Sequence, residues 1–178
     1  MRSLFREVLI TLVVVVVIFF VLQTTIQSSV VVGGSMEPSF RDGQRLIINK
    51  AVYHFREPNR GEVIIFHPPY EYGRDYIKRV IGLPGDIVEI RLGTVYVNGH
   101  KLQEPYIKAL PAYTLQPYKV KEDSYFVLGD NRNNSNDSHN GWIVPRQNVV
   151  GKAWLSIWPP DEWSLIADHQ LQEQVDAK

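Results

Sequence analysis

Three stretches of the sequence carry residue types that could catalyse a reaction. The first is GGSMEPS, in which Ser35 follows two glycines and precedes Pro38. Glycine and proline at these positions are typical of a tight turn. The stretch therefore has two interpretations, a simple turn or an exposed serine nucleophile. A serine hydroxyl attacks a carbonyl carbon only when a neighbouring base takes its proton, so the rest of the chain has to supply that base.

The second stretch, DYIKRVIGLPGD, offers Lys78 as the base. If Arg79 faces solvent, strand alternation directs Lys78 toward the core. The alternative is an edge lysine whose ammonium stays in water. Lowering the lysine pKa from about 10.4 to about 7.5 by burial corresponds to about 4 kcal/mol of destabilisation of the ammonium. The neutral amine that results can accept the serine proton.

The third stretch, GDNRNNSNDSHNGW, covers residues 129–142 and is dense in hydrogen-bonding side chains. An Asx-rich loop that caps its own backbone is one interpretation. The other is a set of groups that fix the rotamer of a catalytic lysine. Six residues of the stretch could form such hydrogen bonds: Asp130, Arg132, Ser135, Asp137, Ser138 and His139.

Composition restricts the chemistry that is possible. The 178 residues include no cysteine, which excludes disulfides, thiol catalysis and thiolate metal sites. The 19 basic and 19 acidic residues balance, so nothing indicates a nucleic-acid partner. A serine–lysine pair needs neither metal nor cofactor, and we expect none.

An uncharged run, VLITLVVVVVIFFVLQTTI, covers residues 8–26. As a helix it would be about 28 Å long, close to the hydrocarbon thickness of a bilayer. We predict a retained, single-pass anchor; a buried core helix and a cleaved signal peptide are the alternatives, and the run lacks a good small-x-small cleavage site. Arg2 and Arg6 precede the run and place residues 1–7 in the cytoplasm, with the remaining chain outside it.

The remaining chain has a strand-like pattern. Short apolar runs rich in β-branched and aromatic residues predict strands at 45–55, 62–67, 75–83, 124–130 and 149–159, with a hairpin and a second turn within 86–102. We predict an all-β, antiparallel catalytic domain over residues 27–163. It contains a smaller lobe at about 84–126, of which 103–123 is less regular. A polar tail, 164–178, follows and is expected to fray.

Four of these stretches occur in a recognisable order. SMEPS after an apolar span, RGEVIIF, YIKRVIGLPGD and GDNRNNSNDS resemble the signature boxes of the type I signal peptidases. These are membrane-bound serine–lysine endopeptidases that release exported proteins from their signal peptides. The resemblance extends to the closing VVGKAWLSIWP. It implies a cell-membrane protease whose partners are preprotein signal peptides and membrane lipid.

The resemblance also implies roles for individual residues. Ser35 corresponds to the nucleophile, whose N–H contributes to the oxyanion hole, and Lys78 to the general base. Ser135 corresponds to a serine that hydrogen-bonds the lysine, and Asp137 to a carboxylate that braces the site through a charged partner. The residues at pocket-lining positions are Ser29, Val31, Met36, Ile65, Tyr76 and Ile77. Small apolar pockets would select small residues at the first and third positions before the cleaved bond.

The sequence departs from the family pattern at two positions. Gly33 stands where some relatives have a serine hydroxyl that completes the oxyanion hole, so a second donor must come from elsewhere. His139 stands where an arginine is common, so its pairing with Asp137 would depend on pH, because histidine titrates near neutrality.

Three other functions compete with this one. A tethered β-domain could bind a partner without catalysis, a self-cleaving repressor-like protein could use the same residue pair, and a secreted domain could lose its leader. A repressor would need a helical DNA-binding domain, but the N-terminal part of this chain is an apolar span instead. Only nine residues separate Ile26 from Ser35, at most about 30 Å of extended chain, so an anchored protein would hold Ser35 near the bilayer. Trp154, Trp158 and Trp163 would then reach the membrane interface or fill the β core.

Overall fold

The computed structural model describes residues 2–71 and 73–176. Helix α1 (Arg2–Thr25) comes first, and its segment Leu4–Thr25 is long and apolar enough to cross a membrane, by length and composition. Its apolar side chains are exposed, so the folded β-domain does not cover them. The chain passes from α1 directly into strand β1 (Ile26–Val30), without a linker.

The larger sheet is antiparallel and has eight strands in the order β1–β2–β11–β3–β4–β9–β10, with β12 paired to β11. Its further strands are β2 (Arg45–Asn49), β3 (Val63–Phe66), β4 (Tyr76–Gly82), β9 (Ser124–Leu128), β10 (Val144–Pro145), β11 (Val149–Trp158) and β12 (Ser164–Leu165). Strand β4 lies inside this sheet between β3 and β9. Both edges of β4 are therefore paired, and its residues from Lys78 to Gly82 are buried.

The smaller sheet has four strands in the order β7–β6–β5–β8. They are β5 (Ile87–Arg91), β6 (Thr94–Val97), β7 (His100–Lys101) and β8 (Leu115–Lys119). The predicted turns are present, because Leu92 and Asn98 adopt positive φ angles of 49° and 52° and each precedes a glycine. The prediction of an antiparallel all-β fold with a smaller sheet and one N-terminal apolar helix is confirmed.

Two local predictions are wrong. The strand expected over 45–55 ends at Asn49, because the Asn49 side chain accepts the N–H of Val52 at 3.0 Å and starts a short helix, α2 (Val52–Phe55). The polar tail, expected to fray, is instead packed against the core within its described part, residues 164–176. Helix α3 (Leu171–Asp176) buries Leu171 and Val175 in the core beneath the smaller sheet, and this apolar contact holds the end of the described chain.

Two of the buried apolar clusters support β4 and the Ser35 turn. One joins the smaller sheet to β4 and β9 through residues such as Ile81, Val88 and Phe126. The other packs Met36 and Phe40, from the turn after β1, against the larger sheet. The turn that carries Ser35 is therefore fixed by buried side chains immediately after it.

Candidate active site

Strand β4 brings Lys78 to the Ser35 turn. The Lys78 Nζ atom lies 2.8 Å from Ser35 Oγ and 3.0 Å from the carbonyl oxygen of Ile77. Only 4% of Lys78 is exposed to solvent. The condition on which the alternation argument depended, that Arg79 faces solvent, is not met. Arg79 is buried on the opposite face of β4, where Asp130 and a backbone carbonyl satisfy its guanidinium.

The surroundings of Lys78 favour the neutral amine. Burial lowers the pKa of Lys78 to about 8, whereas the carboxylates of Asp137 and Asp130 act in the opposite direction. The Nζ atom also lies 5.3 Å from the centre of the Tyr76 ring, a contact that favours the ammonium. Desolvation outweighs these attractions, so a substantial fraction of Lys78 is an uncharged base at mildly alkaline pH.

Hydrogen bonds from two neighbouring segments hold the Ser35 turn. The Asn131 N–H donates to the Ser35 carbonyl oxygen at 3.0 Å, and Asn131 Nδ2 donates to that of Gly34 at 2.9 Å. Gly33 has a φ of 82°, and its N–H donates to Asp42 Oδ1 at 2.7 Å. The turn needs a glycine at position 33 because few other residues adopt this φ.

Asp137 is fully buried in the loop 129–141, and hydrogen-bond donors of the same loop surround its carboxylate. It accepts the N–H of Gly129 at 2.9 Å and that of His139 at 3.2 Å. His139 Nδ1 lies 2.6 Å from the carboxylate, and its ring stacks on that of Tyr113 with centres 4.0 Å apart. Asp137 thus has a histidine partner at the position where the family pattern has an arginine.

Ser135 does not make the hydrogen bond to Lys78 that the resemblance implies. Its Oγ is buried without a hydrogen-bond partner in the described part of the chain, while Lys78 Nζ contacts Ser35 and Ile77 instead. Ser135 nevertheless lies beside the turn. A Cβ atom added at Gly129 would come within 2.3 Å of Ser135 Oγ and 2.5 Å of the Ser35 carbonyl oxygen.

An open cavity of about 630 Å³ extends from Ser35 and Lys78 between the β1 end and the start of β4. Five of the predicted pocket residues line it: Ser29, Val31, Ile65, Tyr76 and Ile77. Met36 does not line it, because its side chain is fully buried in the cluster behind the turn. Leu46 and Ile48, which the sequence analysis did not propose, complete the apolar wall.

Sequence reasoning did not predict the pairing of Asp130 with Arg79, nor any role for Asn131. Asp130 forms a buried ion pair with Arg79, with contacts of 2.6 and 2.9 Å, and the next residue, Asn131, holds the Ser35 turn. Asp130 and Asn131 lie in the GDN stretch that follows strand β9. Their position directly after a buried strand is the only feature of the sequence that could have indicated these roles. Among residues 2–71 and 73–176, no group of three or more His, Asp or Glu side chains is placed to hold a metal ion.

A buried amine against a serine hydroxyl, at the end of an apolar cleft, is typical of hydrolases that act through a serine. Comparison with known proteins identifies the family. Residues 4–158 match the family model described as signal peptidase, peptidase S26. The chain belongs to this family and is a peptidase, which confirms the resemblance found in the sequence.

Two sequence relatives agree with this assignment. The chain is 44% identical over 155 residues to a probable signal peptidase I-2 of Synechocystis sp., covering 84% of this chain and 71% of the relative. It is 48% identical over 132 residues to the signal peptidase I of Leptolyngbya laminosa, and the match covers 70% of this chain and 65% of the relative. Among solved structures, a signal peptidase I of Enterococcus faecalis V583 is 35% identical, with a TM-score of 0.47, covering 55% of this chain and 97% of that one.

Proposed function

We propose that this chain is a membrane-anchored endopeptidase that removes signal peptides from exported preproteins, with Ser35 as nucleophile and Lys78 as general base. The observation that carries the proposal is the 2.8 Å distance between Lys78 Nζ and Ser35 Oγ, combined with the burial of the lysine. The names of the relatives, signal peptidase I and a thylakoidal processing peptidase of Arabidopsis thaliana, support the choice of substrate.

The reaction proceeds through an acyl-enzyme. Ser35 Oγ attacks the carbonyl carbon of the scissile bond while the neutral Lys78 amine takes the hydroxyl proton. The C–N bond then breaks, and the Lys78 ammonium gives that proton to the leaving amine. Water attacks the ester on Ser35, with Lys78 again accepting a proton, and the serine regains its proton as the acyl chain leaves.

The Ser35 N–H is our candidate for one oxyanion donor. Gly33 does not supply a second one, because it has no side chain and its N–H donates to Asp42. Loss of one oxyanion donor typically costs about 3 to 4 kcal/mol, so a second donor from another group is expected. Asp137 and His139 support Lys78 from the loop 129–141.

The cleft next to Ser35 suits small apolar side chains. Ile65 and Ile77 bring branched side chains into its wall, and Ser29 and Val31 line it from the opposite segment. Branched side chains that lie close to the bound peptide leave room for a methyl or hydroxymethyl group of the substrate more easily than for a large side chain. The proposed substrates therefore carry small residues at the first and third positions before the cleaved bond.

Membrane attachment places this site beside the lipid. We assign residues 1–7 to the cytoplasm, 8–26 to the span and 27–163 to the extracytoplasmic catalytic domain. Support comes from the direct passage of α1 into β1, which leaves only four residues between Val30 and Ser35. Three tryptophans near the β11–β12 end of the sheet are well exposed, as expected of residues that contact the bilayer interface: Trp154, Trp158 and Trp163.

Incubation of the detergent-solubilised full chain with a preprotein tests the proposal. We expect cleavage by the wild type and none above background for Ser35→Ala and Lys78→Ala. Lys119→Met, which removes the charge of an exposed lysine on β8, serves as the control and should cleave normally. Cleavage by Lys78→Ala at the wild-type rate would exclude the proposed base and favour the binding-only alternative. Release of the chain from membranes by carbonate would exclude the anchor.

A further inference from the structure

The irregular segment 104–113, between β7 and β8, contacts both loops of the proposed active site. We call it the bridging segment. It belongs to the less regular stretch 103–123, to which the family resemblance assigns no role. Its side chains and backbone nevertheless make hydrogen bonds to residues far away in the sequence, which gives it a defined position against the site.

Its first contacts are with the loop 129–141. The Glu104 carboxylate accepts two hydrogen bonds from Arg132, at 2.8 and 2.6 Å, and both side chains of this ion pair are buried. Asn133 donates to the carbonyl oxygen of Leu110 at 2.9 Å and accepts the N–H of Ala112 at 2.8 Å. The bridging segment and the loop 129–141 are thus joined at both ends of the segment.

Lys108, in the middle of the segment, reaches both loops at once. Its backbone N–H donates to the carbonyl oxygen of Asp130 at 3.0 Å, and its Nζ donates to Glu37 Oε2 at 2.6 Å. Glu37 follows Ser35 by two residues, and its carboxylate packs against Gly34, where an added Cβ would lie 3.1 Å from Oε1. One side chain therefore connects the turn of the nucleophile to the loop that supports the base.

We propose that Lys108 is a positioning residue of the active site, which holds the Ser35 turn against the loop 129–141 and neutralises the carboxylate of Glu37. The inference rests on the proposed Ser35–Lys78 chemistry, because the placement of the turn matters for the rate only if Ser35 reacts. The ion pair is partly exposed, with about half of the Lys108 side chain and a third of that of Glu37 accessible.

The charge of Lys108 gives the proposal a readout that a purely structural contact would not have. The carboxylates that face Lys78 each have another partner, since Asp137 contacts the His139 ring and Asp130 pairs with the Arg79 guanidinium. Loss of the Lys108 charge would leave Glu37 as an additional, unpaired carboxylate beside the Ser35 turn. Negative charge nearby favours the lysine ammonium, so the pH at which Lys78 becomes a free base should rise.

The experiment measures kcat and KM of the full-length, detergent-solubilised chain on a preprotein between pH 6 and pH 10. For Lys108→Met we expect kcat to fall about tenfold, because a small misplacement of the nucleophile slows the chemical step, with KM within about twofold. The pH of half-maximal activity should rise by about 0.3. Lys108→Arg keeps the charge and should restore most of kcat. Adding Glu37→Gln to Lys108→Met removes the unpaired carboxylate and should return the pH midpoint to its wild-type value.

Lys119→Met and Ser35→Ala are measured in parallel as controls. The proposal is overturned if Lys108→Met has the wild-type kcat and pH midpoint, or if it lowers only the thermal midpoint of unfolding. Cleavage by Ser35→Ala would overturn the proposed function and this inference with it. An inactive Ser35→Ala beside an unaffected Lys108→Met would overturn this inference alone.

Discussion

Replacement of Lys78 by methionine should abolish cleavage and, at the same time, stabilise the folded protein. Methionine has a similar length and fills the space of the lysine stem without a charge. In the wild type, burial destabilises the ammonium of Lys78, which is why its pKa is lowered to about 8. An enzyme that needs an uncharged lysine therefore folds at some cost to its own stability.

The size of the effect follows from the pKa. Lowering the lysine pKa from 10.5 to about 8 corresponds to about 3 kcal/mol of destabilisation at pH values where the folded state is still protonated. Methionine also loses the contacts of Nζ with Ser35 Oγ and the Ile77 carbonyl, each worth about 1 kcal/mol or less. We expect a net gain of about 1 to 2 kcal/mol in the free energy of unfolding.

The sign of the pH dependence is specific. Between pH 8 and pH 10.5 the unfolded state binds more protons at Lys78 than the folded state, so wild-type stability rises with pH relative to the variant. The advantage of Lys78→Met is thus largest below pH 8 and disappears as the pH approaches 10.5.

Urea unfolding of the full chain in detergent, followed by tryptophan fluorescence, measures this difference at pH 7 and at pH 10. Trp142, Trp154, Trp158 and Trp163 all lie in the β-domain and report its unfolding. Lys119→Met controls for the loss of a lysine as such. A stability difference that is zero at pH 7, or that is the same at both pH values, would refute the argument that burial keeps Lys78 uncharged.

Three further predictions concern activity. Cleavage by the wild type should be half-maximal near pH 8, where Lys78 loses its proton. Asp137→Asn should move this midpoint to lower pH, because the Asp137 carboxylate raises the pKa of Lys78. A pH–rate profile of each protein measures both midpoints. Gly129→Ala should lower kcat at least about a hundredfold, since its Cβ would overlap Ser135 Oγ and displace the turn, and normal cleavage would contradict this crowding. Ile65→Ala should widen the cleft and allow cleavage after larger residues, tested with a series of preproteins that differ only before the cleaved bond.

The sequence predicted those parts of the fold that depend on local patterns. Alternating apolar residues located the strands, and Gly-containing pairs such as Asn98–Gly99 located the turns, because these signals act between neighbours in the chain. The helix after Asn49 was missed, since one side-chain hydrogen bond stopped an otherwise strand-like run. The packing of α3 was missed because a polar stretch conceals the two buried residues that hold it.

The site was predicted less completely than the fold, because its details depend on contacts between distant residues. The burial of Arg79 was not predicted, and it depends on Asp130, which lies 51 residues further along the chain. The position of the hydroxyl of Ser135 depends on the space above Gly129, and the link from Lys108 to Glu37 spans 71 residues. Periodicity and motif order contain no information on such contacts.

The charges around Lys78 are best explained by its proposed role as the base. A buried lysine next to unpaired carboxylates would remain an ammonium and could not take a proton from Ser35. Here Asp130 is neutralised by Arg79 and Asp137 is paired with His139, so each carboxylate orients the site without fixing the charge of the lysine. Buried ion pairs contribute little net stability, which makes a purely structural explanation for these pairs weak.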